Sequence, residues 1–205
     1  MAYKDQLIAT GEISETGSLL TANVPNSYRA GIELMLSAQL GNWLKWEGNA
    51  TLSSNKIKEF VAHTEAYDAA WNDLPEDVHT YKNVTIAYSP SLIASSLLTL
   101  HFNRCDILFQ TQYVGEQYID NTARDNASLP DYSVSNLVFK YNMGSIMKGI
   151  KDIGLSLHFN NIFNREYCNN AYAYWTYKLG DEIRTDMRYF PQATFNVYAG
   201  IEIRF

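Results

Sequence analysis

The last part of the chain, Ala193 to Phe205, alternates apolar and polar side chains without a break. A period of two places successive side chains on opposite faces of a β-strand. These thirteen residues are more than twice the usual strand length. At about 3.3 Å per residue and a tilt of about 40°, they would cover roughly 33 Å, close to the thickness of a bilayer. The stretch therefore predicts a membrane-spanning strand with the apolar face Ala193, Phe195, Val197, Ala199, Ile201, Ile203 and Phe205.

Seven further segments show the same alternation and are also predicted to be strands. Short and long connections alternate between them, and one long connection, residues 61–84, is predicted to be a loop with a helical turn near Tyr67 to Trp71. Short connections at one end of the sheet and long connections at the other are typical of an antiparallel, up-and-down transmembrane β-barrel. A soluble lipocalin or sandwich has no reason for this asymmetry. The predicted fold class is all-β, with strands at 2–10, 28–40, 44–52, 92–102, 107–113, 137–143, 153–159 and 193–205.

The polar face of the predicted strands carries charges of both signs, while the opposite face carries none in 28–40, 44–52 and 193–205. We therefore expect the apolar face to contact lipid and the polar face to line the barrel interior. A soluble sheet that packs its apolar face on a protein core is the alternative. The predicted interior charges are Arg29, Glu33, Lys45, Glu47, Lys140, Glu202 and Arg204.

The charge balance and the absence of several motifs narrow the function. The net charge is −6 and the chain has no cluster of Lys and Arg, which argues against binding to nucleic-acid phosphates. No apolar run reaches the roughly 18 residues of a transmembrane helix, and the first residues do not form a secretory signal, so an exported protein would carry its signal upstream of Met1. Cys105 and Cys168 fall in connections at opposite ends of an up-and-down sheet, so we expect no disulfide.

No residue pattern indicates catalysis, a metal site or a bound cofactor. The histidines have no metal-ligand spacing, and no glycine-rich phosphate loop is present. The long connections instead carry aromatic residues with arginines between them, a combination that suits catecholates, haem or the faces of sugars. The alternative is an aromatic girdle with packing inside the loops. The candidate ligand-binding residues are Trp71, Tyr172, Tyr174, Trp175, Tyr177, Arg184, Arg188 and Tyr189.

Several segments resemble TonB-dependent outer-membrane receptors. NNIFNREY at 160–167 resembles the N-x-F-N-x-x-Y stretch of the penultimate strand of that family, and YVGEQYIDNT at 113–122 is similar to its YVGxQYxDNT segment. Residues 27–60 are similar to a hairpin further upstream in the same family, and YFPQATFNVYAGIEIRF at 189–205 is similar to its ending. The barrel assembly machinery reads such an ending, so the resemblance implies an assembly signal at Ile201, Ile203 and Phe205.

The resemblance also implies a fold and a function. The family has a barrel of about 22 strands filled by an N-terminal plug. It imports scarce ligands such as iron-siderophores, haem, cobalamin, glycans or peptides, with energy delivered through TonB. Residues 1–205 would be the last eight strands, without the plug domain and the signal peptide. The implied protein is not an enzyme, resides in the bacterial outer membrane, and has as partners outer-membrane lipid, the barrel assembly machinery, a small-molecule ligand, and the TonB complex through the plug.

Two other functions stay open on the sequence alone. A self-contained eight-stranded outer-membrane protein with a structural or adhesive role is compatible with the pattern, because strands 2–10 and 193–205 run in opposite directions and can pair. A soluble β-sheet binding module is the other alternative. Backbone pairing between the first and last strands would favour the self-contained barrel, and open edges would favour part of a larger one.

Overall fold

The computed structural model describes residues 1–14, 16–145 and 148–205. Within these ranges the chain is all-β, and its one helical element is a 3-10 turn at Asp125–Ala127. No helix there is long and apolar enough to cross a membrane. The strands are β1 (Ala2–Ile13), β2 (Leu19–Leu40), β3 (Leu44–Tyr67), β4 (Asp73–Thr85), β5 (Leu92–Phe102), β6 (Cys105–Val114), β7 (Gln117–Tyr118), β8 (Ser128–Leu129), β9 (Tyr132–Asn142), β10 (Asp152–Asn160), β11 (Cys168–Leu179), β12 (Glu182–Pro191) and β13 (Asn196–Arg204).

Each of the eight predicted strands is present, as β1, β2, β3, β5, β6, β9, β10 and β13. Each of them pairs antiparallel with the next in this series. The all-β, up-and-down prediction is therefore confirmed. We call these eight strands the wall.

The last strand is shorter than its alternation predicts. It begins at Asn196, because the preceding backbone bonds to the 160–167 segment instead of to a neighbouring strand. Asn161 Nδ2 donates to the Ala193 carbonyl oxygen at 3.2 Å, and the Phe195 amide donates to Asn164 Oδ1 at 3.0 Å.

The prediction of a loop with a helical turn at residues 61–84 is wrong, because this segment forms a hairpin. β3 continues to Tyr67 and pairs with β4. The turn between them is built by Asp68, whose Oδ1 accepts from the backbone amides of Ala70 at 2.8 Å and Asn72 at 2.9 Å. Trp71 has a positive φ of 65°, which a helical turn excludes. The polar side chains of the segment thus cap a tight turn rather than a helix.

The pairing register aligns the apolar positions across the wall. Ile32 lies opposite Leu52 between β2 and β3, and Leu155 lies opposite Ile201 between β10 and β13. The result is one continuous apolar surface from β2 to β13, which we call the outer face. Its side chains are open, since Ile201 is 71% exposed and Phe205 is 78% exposed. Soluble proteins rarely leave so much contiguous apolar surface uncovered.

The opposite surface, which we call the inner face, carries the polar side chains. Asp106 lies opposite Lys140, and the His158 ring stacks on the Tyr198 ring with centroids 4.3 Å apart. The buried side chain of Ile57 also lies on this face. By the same register the predicted interior charges all share it, namely Arg29, Glu33, Lys45, Glu47, Lys140, Glu202 and Arg204.

The wall is open. Among the described residues β13 pairs with β10 only, whereas β1 pairs with β2 and, in parallel, with β11. The strand order is β12-β11-β1-β2-β3-β5-β6-β9-β10-β13, with β4 on β3. No ladder joins the first and last wall strands in this part of the chain, so the eight strands do not close on themselves.

Two small cores lie at the end of the wall that carries the long connections. The first consists of Ile8, Val24, Ile57, Val84 and Ile86. The second consists of Ile119, Leu129 and Ala171, with Tyr88, Cys168 and Met187 packed against it. The first core joins β1, β2 and β3 of the wall to β4 and to Ile86 after it, and the second core joins the long connections to one another. Cys105 and Cys168 are free thiols.

Candidate ligand-binding site

Four aromatic rings form a cluster at the long-connection end of the wall. Tyr67 is the last residue of β3, Trp71 lies in the turn between β3 and β4, and Trp175 and Tyr177 come from β11. The Trp175 and Tyr177 rings stack with centroids 4.2 Å apart, and Trp71 lies 5.4 Å from Tyr177 and 6.3 Å from Trp175. Tyr67 completes the set at 5.6 Å from Trp71. We call these four residues the aromatic cluster.

Backbone pairing brings the two halves of the cluster together. The end of β11 runs parallel to the end of β3, with Tyr177 opposite Glu65 and Leu179 opposite Tyr67. The Gly180 amide donates to the Tyr67 carbonyl oxygen at 2.9 Å. The cluster is therefore held by the main chain as well as by its rings.

Side chains add two further links between the hairpins. Trp175 Nε1 donates to Glu65 Oε2 at 3.0 Å, and Lys178 Nζ lies 2.6 Å from Asp77 Oδ1. The hydrogen bond to Asp77 raises the pKa of Lys178. Both links join β11 to the β3–β4 hairpin, so they fix the angle at which the indole of Trp175 is presented.

A β-bulge in β11 keeps its aromatic rings on one side. The register with β12 shifts between Ala173 and Trp175, so Trp175 and Tyr177 share the side of β12 that bears Arg184. Ala171 and Ala173 lie on the other side and are each 1% exposed. Small residues there allow the β11–β12 hairpin to pack closely on the second core, while the large rings remain accessible.

The rings of the cluster are open to solvent at the surface. Trp71 is 51% exposed and Trp175 is 37% exposed. Burial, followed by the nearby carboxylate of Glu65, raises the pKa of the Tyr67 phenol, so that ring is neutral at ordinary pH. The cluster thus offers a mainly uncharged aromatic surface to a ligand.

Guanidinium groups lie beside this surface, but each has a carboxylate partner. Arg184 Nη2 is 2.8 Å from Glu182 Oε2, and this hydrogen bond raises the pKa of Arg184. Arg188 Nη1 is 2.7 Å from Asp186 Oδ1, and its guanidinium lies 5.1 Å from the centre of the Tyr174 ring. Exposed pairs of this kind contribute at most about 1 kcal/mol, so an anionic ligand can compete for either guanidinium.

The structure brings together some of the predicted binding residues and separates others. Trp71, Trp175 and Tyr177 meet in the cluster, with Arg184 next to them. Tyr174 lies with Arg188 further along β11, and Tyr172 packs on Phe190 with centroids 5.8 Å apart. Tyr189 pairs with Ala171 and so lies on the opposite side of the hairpin. Sequence reasoning missed Tyr67 and Glu65, although Tyr67 stands in the same aromatic segment as Trp71.

The 113–122 segment supports the β11–β12 hairpin through hydrogen bonds to other parts of the chain. Asn121 is fully buried; its Nδ2 donates to the Ala9 carbonyl oxygen at 2.8 Å, and its Oδ1 accepts from the Ala87 amide at 2.8 Å. Gly11, with a φ of +96°, leaves room for the backbone of this segment, since a Cβ there would meet the Ile119 carbonyl oxygen. Asn121 thereby joins three separate stretches of chain.

Residues that follow Asn121 reach the hairpin directly. Arg124 Nη2 bonds to Asp120 Oδ2 at 2.9 Å and to Thr185 Oγ1 at 3.2 Å, and Asn126 Nδ2 donates to the Ile183 carbonyl oxygen at 3.0 Å. These bonds fix β12, and through it the aromatic side of β11. In the sequence, the feature that indicates this support is the YVGEQYIDNT segment at 113–122.

Tyr88 makes a further contact with the hairpin from the turn that precedes β5. Its hydroxyl donates to the Ala171 carbonyl oxygen at 3.1 Å. Burial, with a smaller contribution from Asp120, raises the pKa of Tyr88 to about 12.

The predicted assembly residues Ile201 and Ile203 lie on the outer face in β13, and Phe205 follows it. All three are exposed. Within the described ranges no group of three His, Cys, Asp or Glu side chains is placed to hold a metal ion.

No protein-family model and no curated protein matches this sequence. Solved structures do match. The ferric-catecholate import receptor Fiu of E. coli K12 has a TM-score of 0.58 and 11% identity over 98% of this chain and 23% of that one. The copper transporter OprC has a TM-score of 0.55 and 17% identity, over 98% of this chain and 26% of that one.

A mutant of the ferric enterobactin receptor PfeA of Pseudomonas aeruginosa, in complex with enterobactin, has a TM-score of 0.56 and 14% identity over 98% of this chain and 27% of that one. The chain thus spans about a quarter of the length of the solved proteins it matches. At these identities the likeness concerns the fold, and it shows that the chain has the fold of part of the β-barrel wall of these receptors.

Proposed function

We propose that this chain is the C-terminal part of the barrel of a TonB-dependent receptor in a bacterial outer membrane. The fold shared with the solved receptors, the order of the segments that resemble the family, and the outer face support this location. The whole protein would take up a scarce ligand, and the aromatic cluster would contribute to binding it. The observation that carries the binding role is the convergence of four rings from two hairpins at the long-connection end of the wall.

The outer face favours lipid as its surroundings. Its apolar positions are in register over the wall, and side chains such as Ile32, Leu36 and Ile201 are more than half exposed. A soluble β-sheet module would need a protein layer over this face, and the described residues place none there. A self-contained eight-stranded barrel would need a ladder between β1 and β13, whereas in the described ranges these strands have other partners. Both alternatives are therefore less well supported.

The cluster favours a ligand with flat aromatic groups. Stacked and edge-on rings about 4.5 to 7 Å apart leave faces on which another ring can lie. Arg184 beside those faces, and Arg188 further along the hairpin, suit a ligand that also carries negative charge, because their present carboxylate partners are exposed and exchangeable. An iron complex of catecholates has both properties. Fiu and PfeA are named for ferric catecholate and ferric enterobactin, and we transfer that ligand class to this chain as part of the proposal.

The remaining partners belong to the same proposal. The ending with Ile201, Ile203 and Phe205 would be read by the barrel assembly machinery, and the TonB complex would act through a plug domain. No catalytic role is assigned to any residue. Deleting the gene in its source bacterium should abolish TonB-dependent uptake of one class of ligand, and unchanged uptake of iron-catecholates, haem, cobalamin, glycans and peptides would refute the transport role.

Binding by the cluster can be tested with the chain in detergent micelles. Ferric 2,3-dihydroxybenzoate is titrated while tryptophan fluorescence is recorded. Trp175→Leu should weaken binding about threefold to tenfold, because one ring contact is worth about 0.5 to 1.5 kcal/mol. Trp43→Leu is the matched control, since Trp43 is likewise a partly exposed tryptophan but lies in the β2–β3 turn at the other end of the wall. Equal affinities of the two variants would contradict a role for the cluster.

A further inference from the structure

A cavity lies on the inner face, away from the aromatic cluster. Its volume is about 400 Å³, within the range of about 300 to 1,000 Å³ that ligand pockets occupy. Among the described residues no charged side chain lines it. Its polar lining consists mainly of carboxamides on several elements: Gln112, Asn136, Asn160, Asn161, Asn169, Gln192 and Asn196.

Strand register explains why these amides converge. Asn160 lies opposite Asn196 between β10 and β13, and Asn136 stands on the neighbouring strand β9 on the same face. Asn169 comes from the start of β11, where the chain leaves the wall towards the hairpin. The amides therefore line the inner face where the wall meets the long connections.

Existing hydrogen bonds orient several of the amides and leave part of their hydrogen-bonding capacity open, whereas both ends of the Asn196 amide are bonded. Asn160 Nδ2 donates to Asn196 Oδ1 at 2.9 Å, and Asn136 Oδ1 accepts from the Asn161 backbone amide at 2.9 Å. Within the described structure, Asn160 Oδ1 and Asn136 Nδ2 then have no hydrogen-bond partner, and Gln112 has none at either end of its amide. The cavity thus presents both free donors and free acceptors.

Gln192 and Asn169 form another pair of hydrogen-bonded amides in the lining of the cavity. Gln192 Nε2 donates to Asn169 Oδ1 at 2.8 Å, which leaves Gln192 Oε1 and Asn169 Nδ2 without a partner in the described part of the chain. One acceptor and one donor are again available side by side.

Two tyrosine rings supply a flat aromatic surface in the cavity. Tyr132 and Tyr167 lie with centroids 4.5 Å apart and an interplanar angle of 31°, and both line the cavity. Aromatic faces pack on the C–H faces of a sugar ring, and a hydroxyl group, as donor and acceptor together, can bond to both the free donors and the free acceptors of the amides.

We infer that this cavity binds a neutral, polyhydroxylated ring of the kind found in oligosaccharides. Among the described residues that line the cavity, an anionic iron complex would find no positive charge and a cationic ligand would find no carboxylate. The inference goes beyond the proposed function and does not depend on it, because Asn169 and Trp175 are separated by six residues of extended β11, about 20 Å. The two sites would therefore bind different chemical groups.

Saturation-transfer NMR on the chain in a sugar-free detergent such as an amine oxide tests this site. The probes are maltose, lactose and cellobiose, with glucuronic acid as the charged counterpart. We expect transfer to at least one disaccharide and weaker transfer to glucuronic acid. Gln112→Met and Tyr167→Leu should each weaken disaccharide binding about threefold to tenfold, the worth of one neutral hydrogen bond or one ring contact.

The controls separate this site from the aromatic cluster. Asn49→Met changes an amide on the inner face of β3, outside the cavity, and should leave binding unchanged. Trp175→Leu should also leave disaccharide binding unchanged while it weakens ferric dihydroxybenzoate. Absence of transfer to all three disaccharides, or transfer that Gln112→Met and Tyr167→Leu leave intact, would overturn the inference, and neither result bears on the iron-catecholate test.

Discussion

Replacing Ile201 by arginine tests which face of the wall contacts lipid. Ile201 lies near the middle of β13 on the outer face, opposite Leu155, and is 71% exposed. If that exposed surface is embedded in lipid, Ile201→Arg places a charge near the bilayer midplane, at a cost of about 2 to 4 kcal/mol. If the same surface faces water, the substitution of an exposed side chain should change the free energy of unfolding by less than about 0.5 kcal/mol.

The matched variant is Tyr198→Arg, on the inner face of the same strand. Tyr198 is 53% exposed and stacks on His158, so its replacement should cost about 0.5 to 1.5 kcal/mol for the lost ring contact and nothing for lipid. The expected difference between the two variants is therefore about 0.5 to 3.5 kcal/mol, or roughly a factor of 2 to 400 in the unfolding equilibrium.

Urea unfolding of the chain refolded into phosphatidylcholine vesicles, followed by tryptophan fluorescence, measures both variants. The same pair in detergent micelles should show a smaller difference, because water reaches the micelle surface more easily. Equal costs in vesicles, or a larger cost for Tyr198→Arg, would refute the assignment of the faces.

Two further predictions concern the support beneath the aromatic cluster. Asn121→Ala should destabilise the chain by about 2 to 5 kcal/mol, because it leaves the buried Ala87 amide and Ala9 carbonyl unpaired; hydrogen exchange at the Ala87 amide checks this, and protection as in the unaltered chain would count against it. Tyr88, with its pKa raised from 10.0 to about 12, contributes stability that is complete below pH 10 and is lost as the pH rises towards 12. Tyr88→Phe should remove that loss, so parallel decline of both proteins between these pH values would contradict the role of the buried phenol.

The wall could be predicted from the sequence because one of its faces is apolar over its full length. That contrast fixes both the presence of a strand and the side to which each residue points. β4 has no such contrast, since Asp73, Glu76, Asp77 and Lys82 leave both of its sides polar and Pro75 interrupts it. Its pairing with β3 is a tertiary preference that local periodicity does not report.

The candidate site could be predicted only in part for a related reason. Composition identified Trp71, Trp175 and Tyr177 as unusual loop residues. Their meeting depends on the parallel pairing of β11 with β3 and on the bulge at Ala173, and neither leaves a signal in the sequence. Asn121 illustrates the same limit, because its two backbone partners are far from it along the chain.

The pairing of β11 with β3 also has a consequence for the order of folding. Wall hairpins such as β2–β3 and β5–β6 join residues close in sequence, so their loop-closure entropy is small. The contact between Trp175 and Glu65 spans 110 residues and can form only after both hairpins exist. Only three residue pairs make up this parallel ladder, from Tyr177 with Glu65 to Leu179 with Tyr67. The aromatic cluster should therefore be the last part of the molecule to assemble and the first to open in native-state hydrogen exchange, and a ligand bound to both Trp71 and Trp175 would slow that opening.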